Sequence, residues 1–299
     1  EKHWSSIPGR SFGPSPGRWR SITLENIEWI SSLSCSAGSV TIFLTGVDMS
    51  FQVVQISDCH LFSDAQTRLK GVPTMDTFHR VMSVIRQEFP DADRYIFTGD
   101  LTHDEKVVTY HQIRDSLGEW FSRCRFLPGN HDVPDIMCEA IPELTRLDSG
   151  SISFSEILEG WCLIGLDSHV PGETYGRVGD SQLTWLSEQL ERYRDLQVMV
   201  FLHHPPFDVG SAWLDRIGLR NQVELRKLLQ NHRRVRAIFV GHIHQVFEGK
   251  AESIDVLSVP STGVQFVPQL DHCELDPIPA GFRVTDFSDF EFQSQVVRL

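Results

Sequence analysis

The chain is 299 residues long, 40% hydrophobic and 22% charged, an ordinary globular composition with apolar material for one large core or two small ones. Its formal net charge of −13 works against loose binding to nucleic acid or anionic membranes, though not against a small phosphate ester drawn in by bound cations. Six cysteines without a CxxC pair argue for a reducing compartment, and no run approaches transmembrane length, so a cytoplasmic protein is expected.

Residues 1–48 stand apart. They carry Pro8, Gly9, Gly13, Pro14, Pro16 and Gly17, then a serine-rich stretch from Ser31 to Ser39. This composition predicts a flexible extension, with the working domain over residues 49–299 beginning at Met49. Phe51–Ile56 predicts a strand that runs into Ser57-Asp58-Cys59-His60. Thr74 is expected to cap a helix with Met75, Phe78, Met82, Ile85 and Phe89 on one face. Residues 95–97 form a short predicted strand before Gly99-Asp100, followed by a helix over 107–121. Cys124–Leu127 is a strand before Pro128-Gly129-Asn130-His131-Asp132.

Trp161–Leu166 reads as a buried strand ahead of Asp167, and Asp180 as the cap of a helix with Leu183, Leu186, Leu190 and Tyr193 on one face. A strand over 198–202 delivers His203-His204-Pro205-Pro206. Asn221 and Glu224 have capping-box spacing ahead of Leu225, Leu228 and Leu229. The apolar run 237–240 reaches Gly241-His242-Ile243-His244, and later strands are expected over 255–259, 282–287 and 290–297.

Alternating strands and helices imply a layered α/β domain, in which ligands gather beyond the carboxyl ends of strands. Asp58 with His60, Asp100, Asn130 with His131, His203, and His242 with His244 each follow a strand-like run. The H-x-H pair alone reads equally as two surface histidines in a loop. Five such places in order predict one converging cluster. Two carboxylates, an amide oxygen and four imidazoles exceed what one tetrahedral ion takes. They suit two ions sharing a carboxylate, and oxygen and nitrogen donors without thiolate favour iron or manganese, with zinc as the third candidate. Two such ions about 3.5–4 Å apart clamp an in-line displacement at phosphorus.

Blander roles stand beside these. Asp58 and Asp100 could be caps, and Asn130 a left-handed turn residue. His204 is expected to orient a neighbour, while His103, His111, His169 and His232 are expected at the surface or in packing. Cys59 reads as a core thiol. Trp213, Arg220 and Gln265 either line a nucleotide pocket or serve packing and capping.

The ordered set D-x-H (Asp58, His60), G-D (Gly99, Asp100), G-N-H-D (Gly129 to Asp132), H-H (His203, His204) and G-H-x-H (Gly241 to His244) resembles the calcineurin-like metallophosphoesterase superfamily. Asp58-Cys59-His60-Leu61-Phe62, Ser211-Ala212-Trp213-Leu214-Asp215, Gly241-His242-Ile243-His244-Gln245 and the run from Pro260 to Phe266 are similar to the bacterial class III 3′,5′-cyclic-AMP phosphodiesterases. The resemblance covers residues 51–299. It implies an α/β fold, a four-layer αββα sandwich of two mixed sheets, with a dinuclear site. Asp58, His60, Asp100 and His244 would hold one ion. Asp100, Asn130, His203 and His242 would hold the other, most simply iron or manganese.

His60, Asp100, Asn130, His131 and His244 would surround the substrate phosphate. The implied reaction is hydrolysis of 3′,5′-cyclic AMP to 5′-AMP by a metal-activated hydroxide, with His131 protonating the departing 3′ oxygen. The implied partner is a small cyclic nucleotide, with no nucleic acid and no membrane, and the chain is expected to be a monomer or homodimer. Asp104-Glu105 departs from the Asp-Gly of many relatives. Rival substrates are glycerophosphodiesters and 2′,3′-cyclic nucleotides. A metal-free scaffold is the rival outside enzymology.

Overall fold

The computed structural model of the chain describes residues 50–299, so the predicted flexible extension over residues 1–48 lies outside the described residues. The strands are β1 (Phe51–Ile56), β2 (Arg94–Thr98), β3 (Cys124–Leu127), β4 (Phe154–Leu158), β5 (Trp161–Leu166), β6 (Gln197–Leu202), β7 (Val235–Val240), β8 (Glu248–Ala251), β9 (Ile254–Ser258), β10 (Gln265–Phe266), β11 (Leu275–Asp276), β12 (Gly281–Phe287) and β13 (Phe292–Arg298). The helices are α1 (Thr74–Glu88), α2 (Val107–Leu117), α3 (Pro134–Ala140), α4 (Asp180–Arg192), α5 (Ala212–Asp215) and α6 (Gln222–Gln230).

One sheet has the order β13-β12-β1-β2-β3 and the other β4-β5-β6-β7-β9-β8, with β10-β11 a separate pair. Parallel pairing joins β1 to β2 and β2 to β3, and in the second sheet β5, β6, β7 and β9 in turn. The remaining strands pair antiparallel, so both large sheets are mixed.

Alternation along each strand decides the layers, because successive side chains leave opposite faces. In β1, Val54 and Ile56 join a core with α1 residues Phe78, Met82 and Ile85, while Phe51 and Val53 join a different one. In β6, Val198, Val200 and Leu202 pack with Leu186 and Leu190 of α4, while Met199 and Phe201 meet Phe51 and Val53 between the sheets. Three cores therefore separate four layers, which is the αββα sandwich expected from the resemblance. Burial on both faces also explains why the parallel strands read as continuous apolar runs. Among the described residues, no helix is long and apolar enough to cross a membrane.

The capping expectations fail because each polar side chain is taken by another partner, a distant one for Thr74 and Asn221 and a nearby arginine for Asp180. Thr74 is the first residue of α1 behind Pro73, and its hydroxyl donates to the His60 carbonyl at 3.0 Å. Asp180 pairs with Arg177 rather than capping α4. Asn221 precedes α6 but accepts from the Val178 amide at 3.1 Å and donates to the Val178 carbonyl at 2.8 Å, satisfying a buried loop backbone. The expected 107–121 helix ends at Leu117, where Gly118 turns to φ 54°, and Gly118–Arg123 continues as a 3-10 segment. Edge strands β4 and β8 were not expected, since they are half-exposed and lack apolar alternation.

Candidate metal centre

The parallel strands of both sheets deliver their carboxyl ends to one rim. Gln55 ties the rim together, its side-chain amide donating to Thr98 Oγ1 at 3.0 Å in its own sheet and to the Val240 carbonyl at 3.2 Å in the other. The loops then interlock through backbone. The Asp58 amide donates to the Gly99 carbonyl at 3.0 Å, the His60 amide to Asp100 at 2.9 Å, and the Gly241 amide to His203 at 3.1 Å.

Asp58 (φ 55°), His60 (φ 46°), Asp100 (φ 52°), His242 (φ 70°) and His244 (φ 49°) are all left-handed, half of the ten such non-glycine positions among the described residues. Each costs about 1–3 kcal/mol and persists only where surroundings enforce it. This conformation turns the side chains back over the strand ends. Asn130 is absent from that set, so the left-handed turn role considered for it does not hold. A Cβ on Gly241 would lie 2.2 Å from Ser57 Oγ and 2.9 Å from the Thr98 carbonyl, so only glycine lets the H-x-H loop come this close.

Two donor groups result, and Asp100 belongs to both. Its Oδ2 lies 3.5 Å from His60 Nε2 and 3.4 Å from His203 Nε2, while its Oδ1 accepts from the His131 amide at 2.8 Å. On one side, His60 Nε2 and His244 Nε2 are 3.0 Å apart, and His244 Nε2 is 3.3 Å from Asp58 Oδ1. On the other, His203 Nε2 lies 3.3 Å from Asn130 Oδ1 and 3.2 Å from His242 Nδ1. His203 Nδ1 donates to the Thr98 carbonyl at 2.7 Å and His244 Nδ1 to Val264 at 2.8 Å, so Nε2 of each faces inward.

Burial alone would raise both carboxyls. His244 beside Asp58, and His203 with His60 beside Asp100, instead hold them below the usual carboxylate range. Burial also works against a charged ring at His203, yet Asp100 leaves it raised to about 9. His242 is pushed down to about 3 by burial and by His203.

These residues fit a pair of cations. Buried imidazole nitrogens face each other and face carboxylates at close range. Asp58, His60, Asp100 and His244 converge tightly enough to hold an ion, as do His203, His204 and His242. The donors are nitrogen and oxygen with no thiolate, which suits iron, manganese or zinc.

All eight residues singled out from the sequence are at this rim. His131 and Asn130 are half-buried, on its open side. His204 packs edge-on against His203 at 4.8 Å and bonds through Nδ1 to Ser168 Oγ at 2.8 Å. Gln265 turns its amide to the Ser261 carbonyl and accepts from Arg298, so its role is packing. Arg220 lies over Tyr175 at 4.3 Å. Trp213 meets Phe266 edge-on, and Phe266 stacks on His244 at 4.5 Å.

Two residues were given no part in the site by the sequence reading. Asp132 is buried and accepts from the amides of Leu101 (3.1 Å), Thr102 (3.3 Å) and Gly129 (2.9 Å) and from the Tyr110 hydroxyl (2.9 Å), tying the G-D loop to the G-N-H loop. Burial and Asp100 raise it to about 6 against the pull of those donors. Its signal was its place as the last letter of G-N-H-D. His103, expected at the surface or in packing, lies half-buried with Nδ1 3.3 Å from His60 Nδ1 and its ring stacked on His131 at 4.6 Å.

Comparison with known proteins agrees with this arrangement. The sequence model of the calcineurin-like phosphoesterase family matches residues 51–246. A 3′,5′-cyclic adenosine monophosphate phosphodiesterase of Vibrio vulnificus is 34% identical over 254 residues, 84% of this chain and 90% of that one. A Pseudomonas aeruginosa protein of the same name is 33% identical over 238 residues, 79% of this chain and 85% of that one. Among solved structures, a dimetal phosphatase from Danio rerio aligns with TM-score 0.56 at 14% identity, over 84% of this chain and 99% of that one. A purple acid phosphatase of yellow lupin aligns with TM-score 0.61 at 14% identity, over 84% of this chain and 52% of that one. These two share the fold. With its two mixed sheets, its rim of carboxylates and imidazoles and these sequence matches, the chain belongs to the calcineurin-like phosphoesterase family.

Proposed function

We propose that this chain hydrolyses 3′,5′-cyclic AMP to 5′-AMP at a two-cation centre. Asp58, His60, Asp100 and His244 would hold one ion, and Asp100, Asn130, His203 and His242 the other. The observation that carries this reading is the single oxygen of Asp100, Oδ2, standing 3.5 Å from the imidazole of one group and 3.4 Å from that of the other. The relatives' shared activity and their coverage of four-fifths or so of the chain support the substrate. When bound, the ions supply Lewis acidity to the phosphoryl oxygens and to water, and iron or manganese fits the donor set best.

The chain's own residues do the rest. The Asp100 carboxylate fixes the backbone of His131 through its amide, so the acid follows the metal ligand in space. His131 is half-buried, 4.9 Å from His60 between ring centroids, on the face open to substrate. Its imidazolium gives a proton to the 3′ oxygen as the P–O3′ bond breaks, leaving the 5′ ester intact. With the ligating residues, His131 and Asn130 surround the phosphate and orient it for in-line displacement.

Purified protein, loaded with manganese, should turn over cyclic AMP faster than 2′,3′-cyclic nucleotides or bis-p-nitrophenyl phosphate. His131→Ala should cut turnover about 10²–10⁴-fold while keeping two ions per chain by elemental analysis. Loss of both ions in that variant would remove His131 from the acid role, and preference for another diester would move the substrate assignment to that ester.

A further inference from the structure

The inward-facing imidazoles differ in what holds their other nitrogen. His203 Nδ1 and His244 Nδ1 donate to the backbone carbonyls of Thr98 and Val264. For His60 the partner is a side chain, the Nδ1 of His103 at 3.3 Å. A cation taken by the His60 Nε2 lone pair leaves that ring's only proton on Nδ1, where it needs an acceptor. We infer that His103 is a positioning residue of the metal centre: its Nδ1 accepts the His60 Nδ1 proton and fixes the tautomer and plane of that ligand. The inference rests on the ligand set proposed above.

His60, His103 and His131 also converge closely enough to suggest a third ion. The ring geometry argues against it. His103 and His131 stack at 4.6 Å with planes only 25° apart, whereas each imidazole lone pair lies in its own ring plane, so two stacked rings do not aim at one ion. His60 and His103 instead stand with their ring planes 64° apart and bring Nδ1 to within 3.3 Å of Nδ1, the contact of a nitrogen-to-nitrogen hydrogen bond. The stack on His131 keeps the His103 edge turned to His60. An acceptor behind a ligating histidine raises its basicity and is worth about 10–100-fold in metal affinity.

Two substitutions separate the acceptor from the ring. In His103→Asn, Oδ1 sits one bond beyond Cγ, where the imidazole Nδ1 stood, but the stack on His131 is lost. In His103→Phe the ring remains and the acceptor is gone. Chelator-treated full chain is titrated with Mn²⁺ by calorimetry, with circular dichroism confirming the fold of each variant. Wild type and His103→Asn are expected to show two binding steps of similar affinity. His103→Phe should weaken one step about 10–100-fold and spare the other.

Wild-type affinity at both steps in His103→Phe overturns the inference. So does an asparagine variant as weak as the phenylalanine one, since the ring and not the acceptor would then matter. A wild-type chain that fails to take two ions sinks the ligand set itself, which separates that failure from this one. As a check that needs no variant, nitrogen-15 histidine spectra of the zinc-loaded wild type should place the His60 proton on Nδ1. Finding it on Nε2 with both ions bound overturns the inference as well.

Discussion

Replacing Gly129 with alanine tests whether Asp100 must stand where it does. A Cβ at Gly129 would lie 2.2 Å from Asp100 Oδ1, 2.4 Å from the Asp100 amide nitrogen and 2.8 Å from its Cγ. Favourable non-bonded contact begins at roughly 3.5 Å, so something must retreat by about 1 Å. Asp100 is poorly free to yield. Its Oδ1 holds the His131 amide, its Oδ2 faces both donor groups, and its backbone is already left-handed.

Displacing a positioned group by about 1 Å costs on the order of 10²-fold in rate, and overpacking of this kind destabilises by about 1–3 kcal/mol. Gly129→Ala should therefore lose at least this much turnover, bind one or both ions less tightly, and unfold at lower urea. Gly179 provides the control, because a Cβ there meets nothing within 4 Å. Gly179→Ala should change stability by less than about 1 kcal/mol and leave turnover alone. A Gly129→Ala protein with wild-type ion content and wild-type turnover would refute the argument that a shared Asp100 oxygen organises the centre.

The remaining expectations are independent of that one. Tyr110→Phe removes a buried hydroxyl that donates to Asp132 at 2.9 Å and accepts from the Val133 amide at 3.0 Å; urea unfolding should show a loss of about 1–3 kcal/mol, and no loss would mean the pair does not brace the loops. Asp167 is raised to about 6 by burial, against an ordinary 3.8. The folded chain thus holds this proton more tightly than the unfolded chain, so its contribution is fullest below about pH 4 and disappears as pH rises through about 6, a swing of about 3 kcal/mol. Asp167→Asn should remove about that much of the change across the window, leaving the part contributed by Asp132, which is also raised to about 6, and an unchanged profile would contradict the burial argument. Stripping metal and then restoring Mn²⁺ to a hundredfold excess over Kd should recover about 2.7 kcal/mol per site, read as a rise in melting temperature; identical melting with and without metal would count against the cation pair.

How much of this was legible follows from how local each signal is. Val54 and Ile56 against Phe51 and Val53 show the strand period directly, and the donor letters after each strand mark one rim, because both are properties of neighbouring residues. The capping signals mislead for the opposite reason. Thr74 and Asn221 look like helix starts in a local window, but their polar atoms are taken by His60 and Val178, which the window does not contain. His103 looked like a surface residue because nothing near it in the chain announces His60 and His131 as its neighbours.

Chain order and chemistry were enough to name the donors and the layered α/β class. Sheet order was needed to decide which donor meets which. Asp58 receives the amide of His242 from 184 positions away, and that meeting depends on β1 and β7 lying in different sheets whose ends share a rim. The choice of nitrogen on three of the imidazoles, His203, His244 and His60, came later still, from carbonyls at Thr98 and Val264 and from the ring of His103. A residue's type sets which atoms it can offer, whereas the direction of a lone pair is set by what packs behind the ring.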